Sequence, residues 1–337
     1  TSDGESWQEK VNQIRVYSGT KYEMVNEAET GVVCAVTGLT KTKAGEGLGR
    51  EHQINVPVLE PVLNYQIILP EGCDAHRMLK SLKELEEAIR PDTILVSTMY
   101  VNNEVGAVEP VEEISKIIKA KNPSPLYHVD AIQAYGKYVI RPKKQGIDLL
   151  SVSSHKIHGP KGVGFLYIRN GVKIKPLIYG GGQQAGMRSG TENVPGVAGF
   201  GAAAKEMYTN HAEKVQKLIE LKDYMTDRLG EIEGTVINSK KGEASAPQIV
   251  SVSFEGVRSE VLLHALEDKG VYVSSGSACS SNHPGISGTL KGIGVAQKLL
   301  DSTIRMSFGM FNTKEEVDYT IDVLKELVPV LRRYQRG

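Results

Sequence analysis

The sequence predicts an α/β protein: a mostly parallel sheet with helices on both faces, then a compact α+β unit, with a β-rich segment ahead of both. Three observations predict it. From about residue 90, short apolar runs alternate with helical patterns, as right-handed crossovers between parallel strands require. Beyond residue 229 the alternation continues in shorter pieces that form a unit of their own. Residues 1 to about 70 carry closely spaced β-type runs broken by Ser-Gly, Thr-Gly and Ala-Gly-Glu-Gly-Leu-Gly turns, the pattern of a small barrel or sandwich. A length of 337 residues leaves room for two or three domains.

The elements follow in order. Residues 13–17 and 31–36 are β-type runs, and 65–69 is an apolar strand. Leu79, Leu82, Leu85 and Ile89 recur at three and four residues, one face of a helix over 74–89. Residues 93–97 form a uniformly apolar run, typical of a strand buried on both faces. Pro110-Val-Glu-Glu113 starts a helix that runs to about 119. Strands follow at 126–130, with an acid at the end, at 148–153 and at 164–169. One long amphipathic helix covers 194–229. The last part reads as strand 248–254, helix 259–268, strand 271–274, a Ser/Gly-rich loop, strand 302–308 and helix 314–334. Domain boundaries are placed to give 1–86, 87–211 and 212–337.

Composition narrows the function classes. Forty Lys+Arg offset forty Asp+Glu, so no basic excess points to nucleic acid as the main partner. Hydrophobic content of 40% and charged content of 24% fit a globular chain and argue against disorder. Three widely spread cysteines, Cys34, Cys73 and Cys279, give no disulfide framework and fit a reducing compartment. Cys34 reads as core and Cys73 as a loop residue, and no metal-ligand spacing is present. No apolar run approaches the roughly 20 residues that span a bilayer. The chain opens on Thr-Ser-Asp-Gly without a Met, as a fragment would, and shows no signal-peptide pattern, so the cytoplasm is the expected location.

The chemistry centres on Ser153-Ser-His-Lys-Ile-His-Gly-Pro-Lys-Gly162, a turn between two apolar strands. A lysine held at a partly desolvated strand end, here Lys156, can lose its proton and form a Schiff base with a carbonyl. Hydroxyls and backbone N–H groups beside it suit a phosphate. Solvated loop lysines at 156 and 161 are the plainer alternative. Asp130 ends the preceding strand, where a carboxylate can pair with a protonated ring nitrogen or simply cap the next turn. Cys279 sits in a run of small polar residues, either a nucleophile or an incidental surface thiol. The glycine-rich stretch 180–191 lacks the phosphate-loop pattern and reads as a close approach to a phosphate or partner, or as a linker. Arg305 lies inside an apolar strand, where a guanidinium takes a partner: a substrate carboxylate or an internal acid.

Six ordered segments together carry a family resemblance: Arg90-Pro-Asp-Thr-Ile-Leu-Val-Ser97, Val101-Asn-Asn-Glu-Val-Gly106, His128-Val-Asp-Ala-Ile-Gln133, the Ser153–Gly162 turn, Gly186-Met-Arg-Ser-Gly-Thr191 and Ser274-Ser-Gly-Ser-Ala-Cys279. From about residue 86 the chain resembles the NifS/IscS-like cysteine desulfurases, pyridoxal-phosphate enzymes of fold type I. The resemblance implies a pyridoxal-phosphate-transferase-like large domain, incomplete on its N-terminal side, and a small C-terminal domain carrying the cysteine loop. It implies that Lys156 bonds the cofactor and shuttles protons, Asp130 keeps the ring nitrogen protonated and Gln133 bonds the ring hydroxyl. Ser153 and His155 would hold the phosphate, with Thr191 reaching in from the other subunit of a homodimer. Asn103, which also faces the cofactor, and Arg305 would grip the substrate carboxylate. Cys279 would take sulfur from L-cysteine as a persulfide, leaving L-alanine, and pass it to an acceptor such as an iron–sulfur scaffold protein.

The family also carries an upstream Gly-Ala-Thr-Glu loop that cups the phosphate and a histidine that stacks on the ring. No such loop stands in this sequence, and the neighbours of His52 do not match. Instead, Val11–Gly19, Thr37–Gly49 and Val58–Pro61 resemble the second domain of elongation-factor-G-like translational GTPases, including ribosomal-protection proteins, and Leu69–His76 the start of their third. A chimera is the implied organisation. The other readings are a selenocysteine lyase, an inactive desulfurase remnant, and a module that touches the ribosome through residues 1–86.

Overall fold

The computed structural model describes residues 10–18, 21–28, 34–39, 75–275 and 287–334. The chain divides into two compact units, Thr1–Ile67 and Ile68–Gly337. In the first, β1 (Gln13–Ser18), β2 (Lys21–Val25) and β3 (Cys34–Thr37) form an antiparallel sheet in the order β2-β1-β3. Arg15 accounts for part of its register: it donates to Gln13 Oε1 and lies 4.5 Å over the Tyr22 ring. Cys34, expected in a core, is only half-buried; among the described residues β3 pairs on one side alone. The expected strand at 65–69, Cys73 and His52 lie outside the described residues, as does all of 40–74.

The second unit holds the α/β architecture. Helix α1 (Ala75–Ala88) buries Leu82, and Ile89 is buried just past its end. Strands β4 (Leu95–Met99), β5 (Leu126–Asp130), β6 (Leu149–Ser153) and β7 (Gly164–Ile168) line up as β4-β5-β6-β7. The first two pairings are parallel and the last is antiparallel. Between β4 and β5 runs α2 (Val111–Lys121). It begins at Pro110 and carries Glu112 and Glu113 in its first turn and Lys119 and Lys121 in its last, the order its dipole favours. It buries Val111, Ile114 and Ile118, one face at helical spacing.

The sequence expectation fails at β4. That strand starts two residues later than expected and is not buried on both faces: Ile94 is 83% exposed, and Leu95 and Met99 are exposed too. The reason is its place in the sheet. Among the described residues it pairs only with β5, so it is an edge, and an apolar run by itself does not say which strand ends up outermost.

The expected single helix over 194–229 is two, α3 (Val194–Tyr208) and α4 (His211–Leu229). Thr209 is extended and Asn210 adopts φ +51°, a left-handed position that Asn tolerates better than most side chains. The apolar periodicity continues across the break and hides it.

The remaining elements are β8 (Thr235–Ile237), β9 (Ile249–Phe254), α5 (Ser259–Glu267), α6 (Gly288–Gly292), β10 (Thr303–Ser307) and α7 (Lys314–Arg332). The three strands form an antiparallel sheet ordered β10-β9-β8. Residues 271–274 are not a strand; only Ser274 makes a bridge, to Arg305. Every residue of β9 is buried. Val252, Phe254, Leu262, Leu266, Ile304, Ile321 and Leu324 pack there with α4, each apolar side chain worth about 1.5–3 kcal/mol on burial. A capping box starts α7: the Thr313 hydroxyl accepts from the Glu316 N–H, and the Glu316 carboxylate accepts from the Thr313 N–H. Among the described residues no helix is long and apolar enough to cross a membrane.

Asp148 locks the parallel sheet just before β6. Its buried carboxylate accepts from the Tyr127 N–H at 2.8 Å, from Arg169 Nε at 2.5 Å and from Lys119 Nζ at 3.3 Å. Burial pushes its pKa up, but these donors outweigh burial and hold it below the ordinary carboxylate value. A depressed folded pKa stabilises the fold above the unfolded value, near 3.9, and that stabilisation is lost as pH falls through the folded one. Asp148→Asn is therefore expected to cost about 1–3 kcal/mol in urea unfolding at pH 7. The difference from the parent chain shrinks at pH 3.

Candidate active site

The site forms where β5 and β6 end. At the end of β5, the Asp130 carboxylate accepts from the Ile132 N–H at 2.9 Å and so starts the tight turn through 131–138. Gly136 in that turn has φ +81°, and a Cβ on it would come within 2.8 Å of Ile157 Cγ2. Only glycine lets this turn press against the 3-10 turn Ser154–Ile157 that follows β6. His158, at φ 65°, closes the latter turn by donating its N–H to the Ser154 carbonyl. Gly159 next to it has no room for a side chain, since a Cβ there would lie 2.0 Å from Ser154 Oγ. The two turns are thus locked together, and Lys156 rides on one of them.

A third piece comes from 101–106. The Asn102 side-chain oxygen accepts from the N–H groups of Glu104 and Val105, which folds the segment around Asn103. Arg305 on β10 donates from Nη1 to the Asn103 carbonyl at 2.8 Å. Its main chain exchanges hydrogen bonds with Ser274, 3.0 and 2.7 Å long. Glu104 reaches the other way: its carboxylate accepts from Ser287 Oγ at 2.5 Å and Thr289 Oγ1 at 3.0 Å, and so fixes the start of α6.

Asn103, Gln133, His155, Lys156 and Arg305 all line one cavity. The sequence-level reasoning assigned each of these five a role, and the fold brings them together from four separate segments. Asp130, Ser153 and Thr191 do not line it. Asp130 stands at the same strand end, Ser153 Oγ lies 2.8 Å from His155 Nδ1, and Thr191 is exposed in the glycine-rich stretch. Cys279 lies outside the described residues.

Two further lining residues escaped sequence reasoning. Gln248, 5% exposed, donates from Nε2 to the Gln133 carbonyl at 2.9 Å, and among the described residues its Oε1 has no partner. Lys137, 8% exposed, donates to the Lys156 carbonyl at 2.7 Å. The sequence placed the first only at the head of a strand and singled out nothing at the second.

The electrostatics point one way. Among the described residues no carboxylate lines the cavity, whereas two lysines, an arginine and two histidines do. Burial, then the charges of Lys156 and Lys161, push the His155 pKa down, which favours a neutral imidazole. Among the described residues no cluster of three or more His, Cys, Asp or Glu offers a metal site. The arrangement suits an anionic ligand whose electrophilic carbon comes within reach of the Lys156 amine.

Comparison with known proteins places this geometry among relatives. The family described as Aminotransferase class-V matches residues 64–320. A cysteine desulfurase IscS of Methanosarcina thermophila is 44% identical over 249 residues, covering 74% of this chain and 61% of that protein. A solved NifS-like protein superposes with a TM-score of 0.68 at 40% identity, over 74% of this chain and 65% of that one. A structure titled SspA in complex with cysteine superposes with a TM-score of 0.55 at 30% identity, over 69% of this chain and 63% of that one. The chain spans about three fifths of the length of the first curated relatives it matches.

Proposed function

The chain belongs to the class-V aminotransferase family, and from that premise we propose that it is a pyridoxal-phosphate-dependent cysteine desulfurase that converts L-cysteine to L-alanine and leaves a persulfide on Cys279. The observation that carries the reading is the cavity: a lysine just past a strand end among cationic and amide donors, with the Asp130 carboxylate at the neighbouring strand end.

The residues present fit the cofactor. Pyridoxal phosphate is an anionic aromatic aldehyde, and this donor set matches it in charge and in hydrogen-bond sense. Among the described residues the buried Oε1 of Gln248 has no partner, which leaves an acceptor for a ligand's donor. Lys156 would hold the carbonyl carbon, Gln133 the ring hydroxyl and Asp130 the ring nitrogen. Ser153 and His155 would take the phosphate, with Thr191 supplied from the second copy of a homodimer. When bound, the cofactor supplies an electron sink for charge that develops on the substrate's α-carbon.

The remaining steps belong to the protein. Arg305 receives the L-cysteine carboxylate, its guanidinium oriented by the hydrogen bond to the Asn103 carbonyl, and the Asn103 side chain lies on the same wall. Lys156 moves protons at the substrate's α-carbon and returns one to the β-carbon. The Cys279 thiolate attacks the substrate sulfur. The carbon–sulfur bond breaks, a sulfur–sulfur bond forms and alanine leaves. The net change is cysteine plus Cys279 thiol to alanine plus Cys279 persulfide, with no external oxidant or reductant. The persulfide then passes to an acceptor such as an iron–sulfur scaffold protein.

For residues 1–86 the translation-factor reading rests on sequence resemblance alone, and the family match from residue 64 overlaps its last part. The desulfurase reading is tested by supplying the purified chain with pyridoxal phosphate and L-cysteine and measuring alanine.

A further inference from the structure

Lys137 has no part in the mechanism above, yet it is placed as if it did. It follows Gly136, the glycine whose missing side chain allows the 131–138 turn to contact Ile157. Its side chain runs into the molecule rather than out to water and is 8% exposed. Its ammonium donates to the main-chain carbonyl of Lys156 at 2.7 Å and lines the same cavity as the Lys156 side chain. Among the described residues no carboxylate lies within ion-pairing distance of it.

This is a costly way to fill space. Burying an ammonium without a carboxylate carries a desolvation penalty that an apolar side chain of similar length avoids. Burial, and then the positive charge of Lys156, lower the Lys137 pKa to about 8. Packing alone does not call for a lysine at this position. The hydrogen bond it makes does: the carbonyl it holds belongs to the residue whose amine must be aimed.

We propose that Lys137 is a positioning residue for Lys156, its ammonium clamping the Lys156 carbonyl and so fixing the turn from which the Lys156 amine enters the cavity. The inference deepens the proposed function and rests on its assignment of Lys156. The clamp spans the two strand ends directly, from the turn after β5 to the turn after β6. The Tyr208 hydroxyl secures the first turn from behind, accepting from the Gly136 N–H at 3.1 Å and donating to the Tyr138 carbonyl at 3.3 Å. Lys137 therefore pulls from a fixed support.

The test is amide hydrogen exchange on the full chain without cofactor, comparing the parent, Lys137→Met and Lys137→Arg. Lys137→Met is expected to speed exchange over 154–160 by about tenfold or more, the loss of one hydrogen bond from a charged donor. Exchange in β9 stays unchanged, and Lys137→Arg restores protection. Apparent affinity for pyridoxal phosphate, read by absorbance, falls by a similar factor in Lys137→Met and recovers in Lys137→Arg. If Lys137→Met does not fold, Lys137→Gln is read in the same way. Unchanged exchange over 154–160 overturns the proposal. So does faster exchange throughout the chain, or a loss that Lys137→Arg does not repair, since both assign the residue to packing. Borohydride reduction of the parent with pyridoxal phosphate, followed by peptide mapping, checks the Lys156 assignment separately. Label elsewhere would sink that assignment and leave the exchange result to decide the clamp.

Discussion

Lys156→Ala is expected to abolish covalent attachment of pyridoxal phosphate and to lower alanine formation by more than about 10⁴-fold, since positioned proton transfer alone contributes about 10²–10⁴. The expectation follows from where the residue sits. Lys156 is carried on a short 3-10 turn after β6, wedged between Gly136 and the left-handed His158, and its side chain lines the cavity with Arg305 and Gln133. Lys137 is the other lysine on that wall, and its ammonium is occupied with the Lys156 carbonyl. A cofactor adduct fixed by borohydride and mapped to Lys137 in the Lys156→Ala protein would move the attachment point. The fold itself is expected to tolerate the change, because Lys156 is part-exposed while its neighbours Ser154 and Ile157 are buried. Urea unfolding of the variant without cofactor checks this and separates a lost bond from a lost fold.

Cys279→Ser is expected to do the reverse. The visible band of the bound cofactor remains, and it still changes when L-cysteine is added, whereas persulfide and alanine fall by at least about 10³-fold. Serine keeps the size of the side chain and removes the sulfur that must accept sulfur. The described residues on either side of the segment holding Cys279 are tied close to the site: Ser274 pairs in the main chain with Arg305, which lines the cavity, and Ser287 donates to Glu104, the neighbour of the lining residue Asn103. Full desulfuration by Cys279→Ser would remove this thiol from the mechanism.

How much of this could be read from the sequence depends on the range of the forces involved. Local signals served well. Pro110-Val-Glu-Glu113 marked the start of α2 within a residue, and Asp130 and Lys156 stand where expected, at the end of β5 and just past the end of β6. Those features arise from backbone preferences and period-2 or period-3.6 patterns that a short window contains. The failures are non-local. The exposure of Ile94 and Leu95 depends on which strand pairs outermost, not on their own apolarity. The break at Asn210 is invisible because the apolar faces of α3 and α4 keep step across it. Lys137 and Gln248 became site residues through contacts 19 and 115 positions away in sequence, which no local pattern encodes.

The account's central claim is that these walls make a working cofactor site in this chain. The most direct measurement adds one equivalent of pyridoxal phosphate to the purified protein, records the visible absorbance, then adds L-cysteine and measures alanine. The expected result is a visible band from the bound cofactor that changes on adding L-cysteine and is followed by alanine. A chain that folds cooperatively but shows no such band, and forms no alanine, would contradict it.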